Sequence, residues 1–296
     1  MPFLICPMAL TFGEYLKHIS LRLESDTPEL DAQILLAHVI GHPRTWLLAH
    51  LDSPLTPPQV ESADQTFARL EAGEPLPYIL GHWEFFGLDF DITPDVLIPR
   101  PETELLVEKA IKWLSASPER RTVADVGTGS GIIATSIAMH IPDANILATD
   151  ISMKALTIAK HNAQKFHVHH RIDFLQCDLL PQHIDPLPTE SHFDLICANL
   201  PYIPTKTMRS LPIFGREPTL ALDGGEDGLD LYRRLLDIAP AWLAPGGMIL
   251  LEIEATQGIR ALTLAADKFS ESFISLHQDL AGRDRLLEIH PRSGLD

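Results

Sequence analysis

Two short polar segments in this chain each follow an apolar run typical of a β-strand, and their residues could hold two reacting molecules together. Residues 123–131 read Val-Ala-Asp-Val-Gly-Thr-Gly-Ser-Gly, and residues 199–202 read Asn-Leu-Pro-Tyr. The first is a glycine-rich loop, whose backbone can approach a ligand where a Cβ would clash. The second places an amide side chain, a backbone carbonyl and an aromatic ring at one strand end. The pair is far more specific than either segment alone.

The spacing of the glycine-rich loop excludes a dinucleotide fingerprint. That fingerprint requires Gly-x-Gly-x-x-Gly, and Ile132 stands where its last glycine would be. Asp150 and Asp178 end the next two predicted strands, where carboxylates can accept ribose hydroxyls and meet an adenine amino group. Leu179 can pack against an adenine ring. A single aspartate of this kind is as often a helix cap or turn residue, but three strand ends in order favour a cofactor site.

The second segment could activate a weak nucleophile. An amide or aniline-type nitrogen is a poor nucleophile because its lone pair is delocalised. Asn199 Oδ1 and the Leu200 carbonyl could accept the two N–H bonds and direct the lone pair at an activated methyl group. Tyr202 could stack on the planar group and exclude water. A sulfonium donor needs neither a metal nor a prior general base. The two segments therefore favour methyl transfer from S-adenosylmethionine, leaving S-adenosylhomocysteine, although residues 199–202 alone are also an ordinary X-Pro turn.

Alternating elements from residue 121 onward predict an α/β fold, a doubly wound and mainly parallel Rossmann-like sheet. In such a sheet the ligand lies at the carboxyl ends of the strands, where both polar segments occur. A turn is predicted at 245–247, and a last strand at 286–289 has no readable direction. The predicted strands are 123–126, 145–149, 172–176, 193–198 and 248–253, and the predicted helices are 105–114, 132–139, 154–166 and 230–243.

Helical patterns in the first part of the chain predict a small all-helical domain over residues 1–76. Thr27 is the expected N-cap of a helix that has Pro28 in its first turn and ends at Gly41. This domain either contacts a partner or completes the main core. A β-hairpin linker is expected over 77–98 and the methyltransferase domain over 99–296. The apolar start of the chain, residues 1–10, is read as the lead into a helix rather than a signal peptide.

Composition bounds the possible functions. The net charge of −17 opposes a general electrostatic hold on nucleic acid, and no apolar run has membrane-spanning length. The three cysteines, Cys6, Cys177 and Cys197, form no disulfide framework, and the latter two are expected as small core residues in strands of a cytoplasmic protein. The histidines at 161, 167, 169 and 170 are expected in a solvated loop rather than at a metal.

Further segments make the chain resemble the release factor glutamine N5-methyltransferases, the PrmC/HemK family, almost from end to end. The segments that carry the resemblance are 77–81 (Pro-Tyr-Ile-Leu-Gly), 97–104 (Leu-Ile-Pro-Arg-Pro-Glu-Thr-Glu), 125–131, 199–203, 217–218 with 221–222, 227–230 and 282–285.

The resemblance implies that the substrate is the glutamine of the Gly-Gly-Gln motif in class 1 peptide chain release factors. It implies a helical domain that helps to hold the factor, a monomer, and no direct contact with nucleic acid or membrane. Arg100 would bind substrate, with the segment up to Glu104 lining the cleft. The implied cofactor residues are Gly127, Thr128, Gly129, Ser130, Gly131, Asp150, Asp178, Leu179 and Asn199, and the implied catalytic and substrate-binding residues are Asn199, Leu200, Pro201 and Tyr202.

Two positions depart from the family pattern. Leu200 replaces the usual proline, but its carbonyl remains and Pro201 still biases it to an extended conformation. Glu254 stands where a glycine often follows the fifth strand. Three other functions stay open: a glutamine methyltransferase of a ribosomal protein, an adenine N6-methyltransferase of nucleic acid, whose ribosomal RNA members also carry Asn-Leu-Pro-Tyr, and a non-catalytic cofactor-binding or scaffold protein.

Overall fold

A computed structural model of the chain describes residues 10–181 and 192–291 and divides it into two compact units, residues 1–81 and 82–296. Cys6 and almost all of the predicted lead segment at 1–10 lie outside the described residues. In the parts of the chain that are described, no helix is both long and apolar enough to cross a membrane.

The first unit consists of helices packed around an apolar core that includes Tyr15 and Phe67. Thr27 occupies the N-cap position as predicted, but its hydroxyl hydrogen-bonds the Asp31 carboxylate at 3.2 Å instead of a backbone N–H. Gly41 ends that helix with a φ of 68°, a left-handed conformation that glycine adopts without strain. The helices are α1 (Phe12–Ser20), α2 (Pro28–Ile40), α3 (Arg44–Ala49), α4 (Pro57–Glu71) and α5 (Leu76–Leu80).

The second unit begins with an antiparallel hairpin and continues as a seven-stranded sheet flanked by helices, which confirms the predicted fold class. The order of the seven-stranded sheet is β5-β4-β3-β6-β7-β9-β8, and within the described part of this sheet β9 and β8 introduce the antiparallel pairing. The strands are β1 (His82–Phe85), β2 (Leu88–Asp91), β3 (Thr122–Val126), β4 (Asn145–Asp150), β5 (Ile172–Gln176), β6 (Phe193–Ala198), β7 (Leu243–Glu252), β8 (Phe273–Gln278) and β9 (Asp284–His290). The helices are α6 (Glu104–Ser115), α7 (Ile132–His140), α8 (Met153–Lys165), α9 (Thr205–Met208), α10 (Asp230–Ile238) and α11 (Gly258–Lys268).

Alternation along the central strands divides the apolar residues between the two faces of the sheet. In β6, Leu195 and Cys197 belong to one buried cluster, whereas Ile196 and Ala198 belong to the other. A strand buried on both faces reads as a continuous apolar run, which is why β3, β4 and β6 could be recognised from sequence. Their carboxyl ends meet at one edge of the sheet, because the three strands are parallel neighbours.

Several sequence predictions were wrong at element boundaries. The predicted turn at 245–247 lies inside β7, which begins at Leu243, and the helix predicted over 230–243 ends at Ile238. Pairing with β6 extends β7, and a shift of register between Phe193 and Leu195 accommodates the extra residues. This tertiary pairing overrides the local turn signal of Pro-Gly-Gly. Helix α11 and strand β8 were not predicted, and part of the expected hairpin segment 77–98 is helical in α5.

The cysteines differ in environment. Cys197 is buried in β6, as expected for a small core residue. Cys177 lies one residue beyond β5 and is only partly buried, so the expectation of a core position in a strand was wrong for it.

Asn162 connects the hairpin to the glycine-rich loop. Its side chain is fully buried in α8, where its amide nitrogen donates to the carbonyls of Asp91 and Ser130 at 2.9 Å each. Its amide oxygen accepts the Asp91 N–H at 2.9 Å. One side chain therefore satisfies three backbone groups and fixes the loop that follows β3 against β2.

We expect Asn162→Ala to lower the free energy of unfolding by about 2–4 kcal/mol, because it leaves these buried backbone groups without partners. Chemical denaturation followed by circular dichroism measures the change. Gln164→Ala, at an exposed position of the same helix, is the matched control and should change stability little. Equal effects of the two substitutions would contradict the connecting role of Asn162.

Candidate active site

A cleft of about 730 Å³ opens at the carboxyl ends of β3, β4 and β6. This volume is typical of sites for small molecules and cofactors. The cleft brings together residues from both polar segments of the sequence. Those among its lining are Gly127, Thr128, Gly129, Ser130, Asp150, Asp178, Leu179, Asn199, Leu200, Pro201 and Arg100.

The glycine-rich loop turns tightly because its three glycines, Gly127, Gly129 and Gly131, have φ values of 74°, 57° and 80°. These left-handed conformations strain other residues. A Cβ on Gly127 would lie 3.0 Å from Leu200 Cδ2, and one on Gly131 would lie 3.0 Å from Ala159 Cβ. Gly127 therefore lets the loop contact the second polar segment directly. Gly131 lies behind the cleft wall, against α8, and does not line the cleft.

Asp125 holds this loop from inside the protein. Its Oδ2 accepts the Thr128 hydroxyl at 2.6 Å and the Ala134 N–H at 3.1 Å, while Oδ1 has no partner in the described part of the chain. Burial raises the pKa of this carboxyl from 3.8 to about 6, against the two hydrogen bonds. Asp125 thus joins the end of β3 to the start of α7 and orients the loop between them.

Asp150, the last residue of β4, reaches the same loop. Its Oδ2 accepts the Gly129 N–H at 3.0 Å, and its Oδ1 accepts the Ser152 N–H at 2.8 Å. Burial raises the pKa of this carboxyl, and the backbone N–H groups oppose the rise. Each carboxylate oxygen keeps a further lone pair for a ligand that enters the cleft.

Asp178 and Leu179 follow β5 on another side of the cleft. Asp178 pairs with Arg234 at 2.6 Å, and both side chains are about half exposed. Leu179 is buried with a φ of 62°, and its carbonyl accepts the Thr149 hydroxyl at 2.6 Å. Leu179 therefore presents an apolar surface at a fixed backbone position, whereas the Asp178 carboxylate already has a cation as partner.

Asn199 follows β6 and carries an unsatisfied acceptor. Its amide nitrogen donates to the hydroxyl of the buried Thr103 at 3.0 Å. Its Oδ1 is buried and has no hydrogen-bond partner among the described residues. Buried acceptors are paired in most folded proteins, so an orphaned one on the wall of a cleft indicates a ligand that donates a hydrogen bond.

The rest of the second polar segment is held by buried side chains. The Tyr232 hydroxyl lies 3.0 Å from the Leu200 carbonyl oxygen and 2.5 Å from the Glu252 carbonyl oxygen, and the two oxygens share its single proton. The Tyr202 carbonyl accepts the amide of Gln257 at 2.8 Å. Tyr202 is partly buried and does not line the cleft, and burial raises the pKa of its hydroxyl. A Cβ on Gly224 would lie 2.7 Å from the Pro201 carbonyl oxygen. The segment is thus fixed on several sides, while the Leu200 oxygen keeps one further lone pair.

The residues of the segment 100–104 differ in whether they line the cleft. Arg100 lines the cleft and forms an ion pair with the buried Glu217 at 2.5 Å. Thr103 also lines the cleft, but Glu102 and Glu104 do not. Glu104 accepts the Phe86 N–H at 2.9 Å, and Glu102 lies 3.8 Å from Arg285. The expectation that the whole segment lines the cleft was therefore wrong for Pro101 and for the two glutamates.

Sequence reasoning missed several buried polar side chains beside the site. Tyr232 and Gln257 support the second segment, and Glu252 lies close enough to Thr103 and Asn199 for both to lower its pKa. The signal available was a polar residue inside an apolar run, as at Glu252 in Leu-Leu-Glu-Ile. Tyr232, in contrast, reads as one apolar position of an amphipathic helix.

The histidines show the expected surface character. His161 pairs with Asp91 at 2.6 Å, while 167, 169 and 170 are exposed. In the described ranges, no three His, Cys, Asp or Glu side chains are arranged to hold a metal ion. Glu254 has a φ of −74°, so the position where the family often has glycine requires no left-handed conformation here.

Two family models match parts of the chain. A family model described as "PrmC N-terminal domain" matches residues 14–81, and one described as "Ribosomal protein L11 methyltransferase (PrmA)" matches residues 106–206. Among solved structures, the hMettl16 catalytic domain in complex with the MAT2A 3'UTR hairpin 6 has a TM-score of 0.55 at 13% identity, covering 81% of this chain and 84% of that one. At this identity the likeness shows the fold alone.

Curated relatives are much more similar. The release factor glutamine methyltransferase of Moorella thermoacetica is 45% identical over 261 residues, which are 88% of this chain and 90% of that protein. The protein of the same name from Bordetella pertussis is 41% identical over 88% of this chain and 93% of its own length. The one from Coxiella burnetii is 39% identical over 94% and 98%. Since the similarity spans nearly the whole of both chains, this protein belongs to the release factor glutamine methyltransferase family.

Proposed function

We propose that this enzyme transfers a methyl group from S-adenosyl-L-methionine to the side-chain amide nitrogen, N5, of the glutamine in the Gly-Gly-Gln motif of class 1 release factors. The observation that carries the proposal is the buried, unpartnered Oδ1 of Asn199 beside a glycine-rich cradle. A primary amide supplies the hydrogen-bond donor that this atom lacks. The names of the relatives supply the class of protein that carries the amide.

The cradle fits an adenosine-based methyl donor. Gly127 and Gly129 line the cleft and present backbone without a Cβ there, and Asp150 has spare acceptor capacity for ribose hydroxyls. Leu179 offers an apolar face to the adenine, with Asp178 at the rim. Such a donor supplies an electrophilic methyl group on a sulfonium. A structural neighbour, the rRNA methyltransferase RsmC of T. Thermophilus, was solved with AdoMet at a TM-score of 0.50.

The substrate amide would be held from two directions. Asn199 Oδ1 accepts one N–H and the free lone pair of the Leu200 carbonyl accepts the other. This arrangement keeps the nitrogen lone pair available and oriented toward the methyl group. Pro201 keeps Leu200 extended. Tyr202 is proposed to stack on the planar amide, which requires its ring to reach the cleft wall when substrate binds.

The helical segment 1–76 is proposed as the part that recognises the release factor. The match of residues 14–81 to the PrmC N-terminal domain supports this role. Arg100 is proposed to contact the substrate backbone, because its ion pair with Glu217 holds the guanidinium group at the cleft wall. We further propose a cytoplasmic monomer that binds neither nucleic acid nor a metal.

A ribosomal protein is the second candidate substrate. The match of residues 106–206 to the ribosomal protein L11 methyltransferase model favours it, but that match covers only the central part of the chain. An adenine N6-methyltransferase is not favoured, because the net charge of −17 opposes binding to a phosphate backbone.

Asp150→Ala should weaken S-adenosylmethionine binding by about tenfold or more, since it removes charge-assisted hydrogen bonds to the ribose and the support of Gly129. Isothermal titration calorimetry measures the dissociation constant. Asp173→Ala, which removes an exposed carboxylate on the neighbouring strand β5, is the matched control. If Asp150→Ala binds as tightly as the control, the ribose is not held by this residue.

Asn199→Ala should abolish methylation of the release factor glutamine. Purified protein is incubated with S-adenosylmethionine and a class 1 release factor, and tandem mass spectrometry of the Gly-Gly-Gln peptide identifies one added methyl on the amide. Asn145→Ala, at an exposed position on β4, should retain full activity. An unmodified peptide from a wild-type enzyme that binds the cofactor would overturn the substrate assignment, and ribosomal proteins would be assayed next.

A further inference from the structure

The side-chain amide of Asn199 can adopt two orientations that exchange its oxygen and nitrogen. Only one of them leaves the oxygen for a substrate N–H. In the structure the nitrogen donates to Thr103 Oγ1 at 3.0 Å and the oxygen stays unpartnered within the described residues. The proposed function requires this orientation, so something in the protein has to select it.

Thr103 alone cannot select the orientation, because a hydroxyl both donates and accepts. It could accept from the Asn199 nitrogen or donate to the Asn199 oxygen with similar ease. The selection therefore depends on what else the Thr103 hydroxyl contacts.

Glu252 is the group that favours one orientation of the Asn199 amide over the other. The last residue of β7, it is almost completely buried, and its Oε2 has no hydrogen-bond partner in the described ranges. Ala198 pairs with Leu251 in the register of β6 and β7, so Asn199 and Glu252 follow at neighbouring positions, and the Thr103 hydroxyl and the Asn199 amide both lie near the Glu252 carboxyl group. A carboxylate only accepts hydrogen bonds, so it takes the Thr103 proton and repels the Asn199 oxygen.

We infer that Thr103 and Glu252 are positioning residues that fix the Asn199 amide with its nitrogen toward them and its oxygen toward the substrate amide. This inference rests on the proposed function and adds two side chains to it. Neither residue needs to touch the reacting atoms. In this proposal the Asn199 N–H donates to the Thr103 oxygen, as the structure has it, and the Thr103 O–H is directed at the Glu252 carboxylate.

The charge state of Glu252 then controls the orientation. Burial raises the pKa of this carboxyl from 4.5 to about 7, and Glu102 adds to the rise, while Thr103, Arg285 and Asn199 oppose it. Once protonated, Glu252 can donate to Thr103, which frees the Thr103 proton for the Asn199 oxygen. Other titratable groups that interact with Glu252 are Tyr202, in the loop after β6, and Tyr232, in α10.

The expected signature is a pH dependence with a definite sign. The carboxylate form is the active one, so kcat/KM for the release factor should rise with pH through about 7 and level off above it. Glu252→Gln keeps an acceptor for Thr103 but cannot change charge, so in this variant kcat/KM should no longer rise with pH through about 7. The same rise of kcat/KM with pH in Glu252→Gln would overturn the role of Glu252.

Thr103→Val tests the other positioning residue at nearly constant volume. We expect kcat to fall about 10- to 100-fold from misorientation of Asn199, with S-adenosylmethionine affinity unchanged. Thr103→Ser, which restores a hydroxyl, should recover most of the activity. The matched control is Thr135→Val in α7, where the lost hydroxyl is buried without a partner in the described part of the chain. Wild-type kcat in Thr103→Val would overturn the inference.

A measurement without turnover separates this inference from the proposed function. In protein labelled with ¹⁵N-asparagine, the Asn199 side-chain NH₂ signals are assigned by their loss in Asn199→Ala. They should be protected from exchange above the Glu252 pKa and lose protection below it, and this change should be absent in Glu252→Gln. If no release factor is methylated but this switch is seen, only the substrate assignment fails. If methylation occurs without the switch, only the positioning role fails.

Discussion

The structure depends on one constraint. The polar groups at the carboxyl ends of three buried parallel strands must form hydrogen bonds within the protein and still leave acceptors for a ligand in the cleft. Asp125 and Asp150 are among the last two residues of β3 and β4, and Asn199 follows β6. Each side chain forms hydrogen bonds within the protein: Asp125 with Thr128, Asp150 with Gly129 and Asn199 with Thr103. The fold can tolerate such buried polar groups because each is at least partly satisfied. The lone pairs that remain without a donor can accept hydrogen bonds from a ligand.

This arrangement costs stability. Asp125 and Glu252 both have a pKa raised by burial, to about 6 and about 7. Their unfolded-state values are lower, so the unfolded chain loses these protons first and the folded state becomes less favoured as the pH rises from about 4 to about 7. A core made of apolar residues at these positions would not carry this penalty. The positions are better explained by the orientation they impose on neighbouring groups than by any contribution to folding.

The sequence was sufficient to predict the doubly wound sheet and the place where its polar segments meet. Strands β3, β4 and β6 are buried on both faces and read as apolar runs, and the polar residues after them mark one edge. It was not sufficient for β7 and β8, because pairing across the sheet decides where these strands begin. It also did not reveal that Tyr232 contacts the Leu200 carbonyl or that Glu252 lies beside Asn199. Both contacts join residues far apart in the chain, and of the two residues only Glu252, a carboxylate inside an apolar strand, is unusual for its own element.

Leu200 and Gly127 are in direct contact, since a Cβ at position 127 would lie 3.0 Å from the Leu200 side chain. The loop proposed for the methyl donor and the segment proposed for the acceptor thus share one packing surface. A mutation that enlarges either residue would disturb both halves of the site at once. Because the left-handed φ of 74° favours glycine at position 127, the side chain at position 200 is the partner in this contact that can change, and any residue there has to fit against the bare backbone of the loop.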